Sequence, residues 1–198
     1  MTDIWSRSAI TEEGESGHER CPGATNEAGM IYPIVKFPDP ILQRPSAPVT
    51  EFDDELRKLV ADMFESMYAA QGIGLAAPQI GIPKRLTVID VSNQKEPKDK
   101  IVLINPEITL HEGKQIEEEG CLSLPDIRDK VRRAARVVVK AQDEYGKWSE
   151  REGTELLARA FQHEIDHLDG ILFIFRISAL KRDLILRRIR KLQRTGEW

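Results

Sequence analysis

The chain has 198 residues, of which 40% are hydrophobic and 31% charged, and its formal net charge is −4. This length suits one domain with a sizeable core, and the composition is typical of an ordinary globular protein in water. The absence of any run of about eighteen apolar residues predicts no membrane span, and two cysteines do not make a disulfide framework.

The N-terminal stretch differs from the rest of the chain. Residues 1–29 carry six acidic and two basic side chains, and therefore the whole net charge. They lack both hydrophobic periodicity and the basic, apolar start of a secretory signal, so we expect a flexible extension on a cytoplasmic protein. Residues 30–198 are then one folded domain. This neutral body lacks the basic stripe of a nucleic-acid binder, with a basic C-terminal end as a local exception.

The folded part reads as an α+β domain. Prolines favour extended chain over residues 33–48, and a three- and four-residue apolar spacing predicts a helix over 53–70. The glycine-rich segment that follows excludes a long regular element. We expect short strands in mixed or antiparallel sheets, packed around a central helix from Thr154 to Gly170, with a final helix over 178–194. The predicted strands are 85–92, 100–110, 136–144 and 147–152.

The central helix carries the sequence HEIDH. His163 and His167 are four residues apart, so they project from one helix face and can share a metal ion. Glu164 follows the first ligand and can reach a metal-bound water, although it is poorly placed to be a ligand itself. A charged, exposed helix would show the same short pattern, so the motif alone leaves both interpretations open.

A third ligand is needed beside the two histidines. Phe173 stands where the metzincin pattern requires a histidine, and a phenyl ring cannot bind a metal. His18 lies in the extension and His111 in a predicted turn, where solvated side chains are expected. Cys121, preceded by glycine and a polar run, remains. A lone cysteine is more often a small buried hydrophobe, but a thiolate with two imidazoles suits a borderline divalent metal.

Three stretches together resemble a known family. GIGLAAPQ at 72–79, EGCLS at 119–123 and QHEIDH at 162–167 resemble, in order and separation, the three motifs of peptide deformylases. The resemblance extends over about residues 30–195. It implies hydrolysis of the N-formyl group from the starting methionine of newly made polypeptides, with release of formate. It also implies one Fe²⁺ per chain, replaceable by Zn²⁺, Ni²⁺ or Co²⁺.

The resemblance also implies the roles of the site residues. Cys121, His163 and His167 are the metal ligands. Glu164 takes the proton of the metal-bound water and returns it to the departing amine. Gln79 would donate to the oxygen that becomes negative, with the backbone N–H of Leu122 as its companion. From the residues alone, a loop-bracing role for Gln79 is the alternative.

Substrate binding is expected along uncovered main chain. Gly72, Gly74 and Gly120 would let an extended peptide pair with the backbone as an added strand. Arg128 matches a family arginine near the substrate, and a solvated surface charge is the alternative.

An apolar slot for the methionine side chain is predicted from three residues: Ile73, Leu156 and Ala160. Arg159, on the same stretch, would line its mouth.

Some alternatives stay open. The acidic neighbours Glu119, Asp166 and Asp169 include one or two partners for the free N–H of a ligand histidine. A zinc endopeptidase shares the HEIDH pattern but would use a histidine or glutamate as third ligand. A non-enzymatic protein that binds nascent chains is another rival, and the basic last helix could contact a ribosome.

Overall fold

The computed structural model describes residues 29–92 and 100–198. The predicted extension at residues 1–29 lies outside this described part, apart from Gly29. The described residues form an α+β fold with two antiparallel sheets and a C-terminal helix, as expected. Among them, no helix combines the length and the apolar character required to cross a lipid bilayer.

Helix α1, Asp54–Ala69, lies where the apolar spacing predicts a helix. The Asp53 carboxylate caps its start by accepting a hydrogen bond from the backbone N of Leu56 at 2.8 Å. Such a cap typically stabilises a helix by about 1 kcal/mol. The buried face of α1 packs against strand residues in one core cluster. It consists of Leu56, Val60, Met63, Phe64 and Met67.

In the described residues, seven strands form two sheets, and each pairing between these strands is antiparallel. The larger sheet has the order β1-β2-β3-β6-β7, and β4 pairs with β5 in a separate hairpin. The strands are β1 Gly74–Ala76, β2 Leu86–Ile89, β3 Ile101–Glu112, β4 Gln115–Cys121, β5 Leu124–Arg133, β6 Arg136–Gln142 and β7 Trp148–Thr154. The predicted strands correspond to β2, β3, β6 and β7.

The sequence pattern does not predict β1, β4 or β5. Strand β1 has only three residues and lies in the glycine-rich segment. Strand β4 reads QIEEEGC and lacks an apolar alternation, because one of its faces forms a polar site instead of core. The expectation that His111 lies in a turn is wrong, since it belongs to the end of β3, where its side chain is exposed.

Helix α2, Glu155–Leu168, lies between the larger sheet and the β4-β5 hairpin. One face packs on the sheet through four buried residues: Ala158, Ala160, Phe161 and Ile165. Helix α3, Ala179–Thr195, begins where the Ser178 hydroxyl accepts from the backbone N of Lys181 at 3.4 Å. Both helices lie where they are predicted. Helix α3 contributes Ile189 to a third cluster, beside Leu124 of β5.

Candidate active site

Helix α2 places two imidazoles together. The four-residue spacing puts His163 and His167 on one helix face, and their ring centroids are 5.0 Å apart. His167 is 1% exposed, and this burial lowers its pKa well below the ordinary value. The neutral imidazole, which is the form that binds metals, is therefore favoured.

The end of strand β4 brings a thiol to these rings. Cys121 Sγ lies 3.2 Å from Nε2 of His167. One donor atom from each of Cys121, His163 and His167 lies within 4.8 Å of the other two. Metal–sulfur bonds of about 2.3 Å and metal–nitrogen bonds of about 2.1 Å place tetrahedral donors roughly 3.5 Å apart. The distances and the donor chemistry therefore both fit a metal ion.

Glu119 orients one of the histidines. Its Oε2 lies 3.0 Å from Nδ1 of His163. This contact orients the imidazole, and Nε2 of His163 therefore points away from the carboxylate. Arg133 Nε and Nη2 donate to the two oxygens of Glu119 at 2.8 and 3.0 Å. Burial opposes ionisation of Glu119, but hydrogen bonds from His163 and Arg133 outweigh it and lower its pKa to about 2. Glu119 is thus an ionised partner of His163.

The other two acidic candidates have different partners. Arg133 Nη1 donates to Asp166 Oδ2 at 2.6 Å, and Arg176 Nη2 donates to Asp166 Oδ1 at 2.5 Å. Asp169 instead accepts from Arg85 at 2.6 Å. Arg133 is buried and joins Glu119 to Asp166, a role that sequence reasoning missed because the stretch KVRRAAR reads as surface charge.

Glu164 is buried beside the candidate metal ligands. It is 4% exposed, and its Oε2 has no hydrogen-bond partner among the described residues. Burial raises the pKa of Glu164 to about 7. A carboxyl group with such a pKa can exchange a proton at neutral pH, as a general base must.

Gln79 reaches the site from the short 3-10 helix Ala77–Ile80, which follows β1. Its Oε1 accepts from the backbone N of Ala76 at 2.9 Å, which orients the amide. Its Nε2 lies 3.6 Å from Cys121 Sγ and 3.2 Å from Ser123 Oγ. The side chain is 2% exposed, so a donor is aimed at the thiol from within the protein.

All three predicted main-chain glycines lie against side chains of the predicted site: Gly74 against Glu164, Gly72 against Leu122 and Gly120 against Arg128. A β-carbon at Gly72 would lie 2.8 Å from Cδ1 of Leu122, which brings the first and second motifs together. Gly120 pairs with Arg128 across the β4-β5 hairpin. The Arg128 side chain is 71% exposed, and its Nη1 lies 3.7 Å from Oε1 of Glu118, so it forms a surface ion pair.

The residues predicted for the methionine slot have different surroundings. Ile73 is half-buried and Leu156 is 40% exposed. Ala160 is buried in the cluster between α2 and the larger sheet. Arg159, one helical turn before His163, has a side chain that is 19% exposed. The face of α2 that carries the two histidines thus continues through an arginine.

Fold and site together point to the class of metal-dependent hydrolases with a His-Glu-x-x-His helix, in which the two histidines and Cys121 could hold the metal ion. The chain matches the family profile described as polypeptide deformylase over residues 31–183. It therefore belongs to the polypeptide deformylase family.

Individual relatives agree with this assignment. A peptide deformylase of Acidobacterium capsulatum is 74% identical over 169 residues, which are 85% of this chain and 99% of the relative. That of Thermodesulfovibrio yellowstonii is 52% identical over 160 residues, 81% and 97% of the two chains. The crystal structure of a peptide deformylase from Legionella pneumophila has a TM-score of 0.78 at 48% identity, covering 84% of this chain and 97% of that one.

Membership of this family makes the chain an enzyme. Its members hydrolyse the formyl group from newly made polypeptides and depend on a metal ion. Within the described part of the chain, the cluster of Cys121, His163 and His167 could bind that ion.

Proposed function

We propose that this chain works in the cytoplasm with one Fe²⁺ ion and removes the formyl group from the initiator methionine of nascent polypeptides. The observation that supports this most directly is the convergence of the three motifs. The Gln79 amide nitrogen lies 3.6 Å from the thiol of Cys121, which lies 3.2 Å from Nε2 of His167.

A proton acceptor lies next to these ligands. An ion held by Cys121, His163 and His167 would supply a water whose pKa is lowered from about 15.7 toward 7. Glu164 accepts the proton as water attacks the formyl carbon, and then delivers it to the departing amine. Its raised pKa, about 7, suits both transfers near neutral pH.

The developing negative charge on the formyl oxygen needs donors that are already in place. Gln79 Nε2 is one, because the bond from Ala76 to its Oε1 prevents the amide from turning. The backbone N–H of Leu122 is the proposed second donor. Each such donor typically lowers the barrier by about 3 kcal/mol.

The substrate is proposed to bind as an extended strand over Gly72, Gly74 and Gly120, with Arg128 beside it. Main-chain hydrogen bonds supply affinity in such strand addition, and pockets for side chains supply specificity. The methionine side chain is proposed to lie in the slot bordered by Ile73, Leu156 and Ala160.

The same helix that ends the fold is proposed to contact the ribosome. Helix α3 carries a single acidic residue, Asp183, and two exposed leucines, Leu180 and Leu184. Its basic residues are Lys181, Arg182, Arg187, Arg188, Arg190, Lys191 and Arg194. Such a surface suits the phosphates of ribosomal RNA. Cosedimentation with ribosomes should therefore weaken as salt rises, and should be lost when Arg187 and Arg188 are changed to Glu.

The test of the enzymatic proposal joins metal analysis to an assay. Metal-free protein is loaded anaerobically with Fe²⁺ or Zn²⁺ and given formyl-Met-Ala-Ser, with release of formate as the readout. We expect one metal per chain, turnover of the formyl peptide, higher activity with Fe²⁺, and no cleavage of acetyl-Met-Ala-Ser. Internal cleavage of unformylated peptides would favour the zinc endopeptidase, and metal binding without turnover would favour a binding protein.

A further inference from the structure

Helix α2 and strand β4 face each other in a regular ladder. Every fourth residue of the helix lies opposite every second residue of the strand. From the interior outward, Cys121 Sγ lies 3.2 Å from His167 Nε2, Glu119 Oε2 lies 3.0 Å from His163 Nδ1, and Glu117 Oε2 lies 3.9 Å from Arg159 Nη1. The third contact continues the metal site by one helical turn.

Along helix α2, the ladder becomes more exposed toward the N-terminal end of the helix. Beyond His167 the chain runs into buried core at Leu168 and Phe173, both at most 1% exposed. In the other direction, exposure of the side chain rises from 12% at His163 to 19% at Arg159, and Leu156 is 40% exposed. A substrate side chain that leaves the metal site therefore extends past Arg159.

The length of a methionine side chain matches the distance along α2 from His163 to Arg159. This step rests on the proposed function, in which the formyl carbon lies at the Cys121, His163 and His167 cluster. The methionine Cα is two bonds from that carbon, and four helical residues rise about 6 Å. A methionine side chain extends over a similar length, so its sulfur and terminal methyl come level with Arg159.

The Arg159 guanidinium has donors to spare. It carries five N–H groups, and its contact with Glu117 at 3.9 Å is longer than a hydrogen bond. Within the described part of the chain it makes no hydrogen bond, although most of the side chain is covered. The hydrocarbon stem can pack on a thioether while the guanidinium remains available to an oxygen acceptor.

We propose that Arg159 is a specificity-determining residue that allows the enzyme to deformylate peptides beginning with N-formyl-methionine sulfoxide. The sulfoxide oxygen is a strong acceptor and lies on the atom that comes level with the guanidinium. A purely apolar slot would leave that oxygen without a partner and would reject the oxidised peptide. Arginine at this position removes the penalty without excluding the ordinary methionine.

The experiment compares formyl-Met-Ala-Ser with synthetic formyl-Met(O)-Ala-Ser on metal-loaded enzyme. The wild type should process the two with kcat/KM values within about threefold of each other. Arg159→Leu should lower the ratio of kcat/KM for the sulfoxide peptide to kcat/KM for the methionine peptide about tenfold, as expected for loss of a hydrogen bond to a charged donor. Arg159→Lys, which keeps a donor, should retain part of the sulfoxide activity.

Arg151→Leu removes an exposed arginine from β7 and serves as the matched control. Its ratio of kcat/KM for the sulfoxide peptide to that for the methionine peptide should equal the wild-type ratio. Equal metal content in all variants shows that the site is intact. The same sulfoxide-to-methionine ratio in the wild type and in both Arg159 variants would overturn this inference and leave deformylation of the methionine peptide standing. A wild type that processes neither peptide would overturn the proposed function itself.

Discussion

Gly74 leaves the space that the carboxylate of Glu164 occupies. A β-carbon built on residue 74 would lie 2.3 Å from Oε1 of Glu164 and 2.8 Å from its Cδ, both closer than real contacts allow. Strand β1 therefore packs its bare backbone directly against the group proposed as general base. This relationship joins the first motif to the third and has a direct consequence for activity.

We expect Gly74→Ala to displace the Glu164 side chain and to lower kcat at least a hundredfold, since a displacement of about 1 Å can cost that much. The three atoms nearest the added methyl all belong to Glu164 and none to Cys121, His163 or His167, so metal content should stay at the wild-type value. Gly29→Ala is the control, because its methyl would meet two side chains of α1 instead, Glu65 at 3.1 Å and Asp62 at 3.4 Å. Wild-type kcat in the Gly74 variant would show that Glu164 has room to move without loss.

Glu164→Gln should retain the metal and lose nearly all turnover. The amide has about the same size as the carboxylate but cannot accept the proton of water. A general base typically raises the reaction rate about 10²- to 10⁴-fold. Single-turnover deformylation and metal analysis on the same sample test this expectation. Turnover near the wild-type rate with a full complement of metal would remove Glu164 from the proton transfer.

Cys121→Ser should weaken metal binding strongly, because a hydroxyl does not ionise to a ligand as readily as a thiol. The measurement is the metal stoichiometry that remains after dialysis against a chelator. Ser123→Ala offers a matched control, since Ser123 is a neighbour that contacts Gln79 but is not in the ligand cluster. One metal per chain in the dialysed serine variant would place the third ligand elsewhere.

Because Glu119 is ionised in the folded protein, we expect the free energy of unfolding to decrease at acidic pH. Its pKa of about 2 lies below the ordinary 4.5, since hydrogen bonds from His163 and Arg133 outweigh the effect of burial. The ionised group stabilises the fold above pH 4.5, and this contribution is lost as pH falls from 4.5 through 2, because the unfolded chain takes up the proton first. The contribution amounts to about 3 kcal/mol.

The free energy of unfolding in urea, measured on metal-free protein between pH 6 and 3, tests this dependence. The wild type should lose more stability over this range than Glu119→Gln, which has no group to protonate at this position. Parallel curves for the two proteins would mean that Glu119 contributes no acid-dependent stability.

A chain that begins at Met30 should remain active. The backbone N of Met30 donates to Oδ1 of the buried Asp62 at 2.9 Å, and a free ammonium at this position would keep that bond and add charge to it. We expect unchanged metal content and a kcat/KM within about threefold of the full chain, with formyl-Met-Ala-Ser as substrate. Loss of folding or activity would show that residues 1–29 pack on the domain.

Local patterns in the sequence are enough to propose a metal site. The i, i+4 spacing of His163 and His167 follows from the helical period, and the rejection of Phe173 as a ligand follows from its chemistry. The glycine-rich segment, the cysteine and the helix also identify the family by their order. Helices α1, α2 and α3 are predictable for the same reason, because their apolar spacing is a property of consecutive residues.

Contacts between strands and helices that are distant in the sequence decided strand β4 and the partners of the charged side chains around the site. Strand β4 shows no apolar alternation, because its site-facing residues meet α2 and not a core, so only pairing with β5 reveals it as a strand. Arg133 donates a hydrogen bond to Asp166, which is 33 residues away in the sequence, and Glu119 contacts His163, which is 44 residues away. The packing of these elements decides that Glu119 contacts His163. It also decides that Arg159 lies beside the predicted ligands on α2. Packing is set by the whole folded chain, and no single segment specifies it.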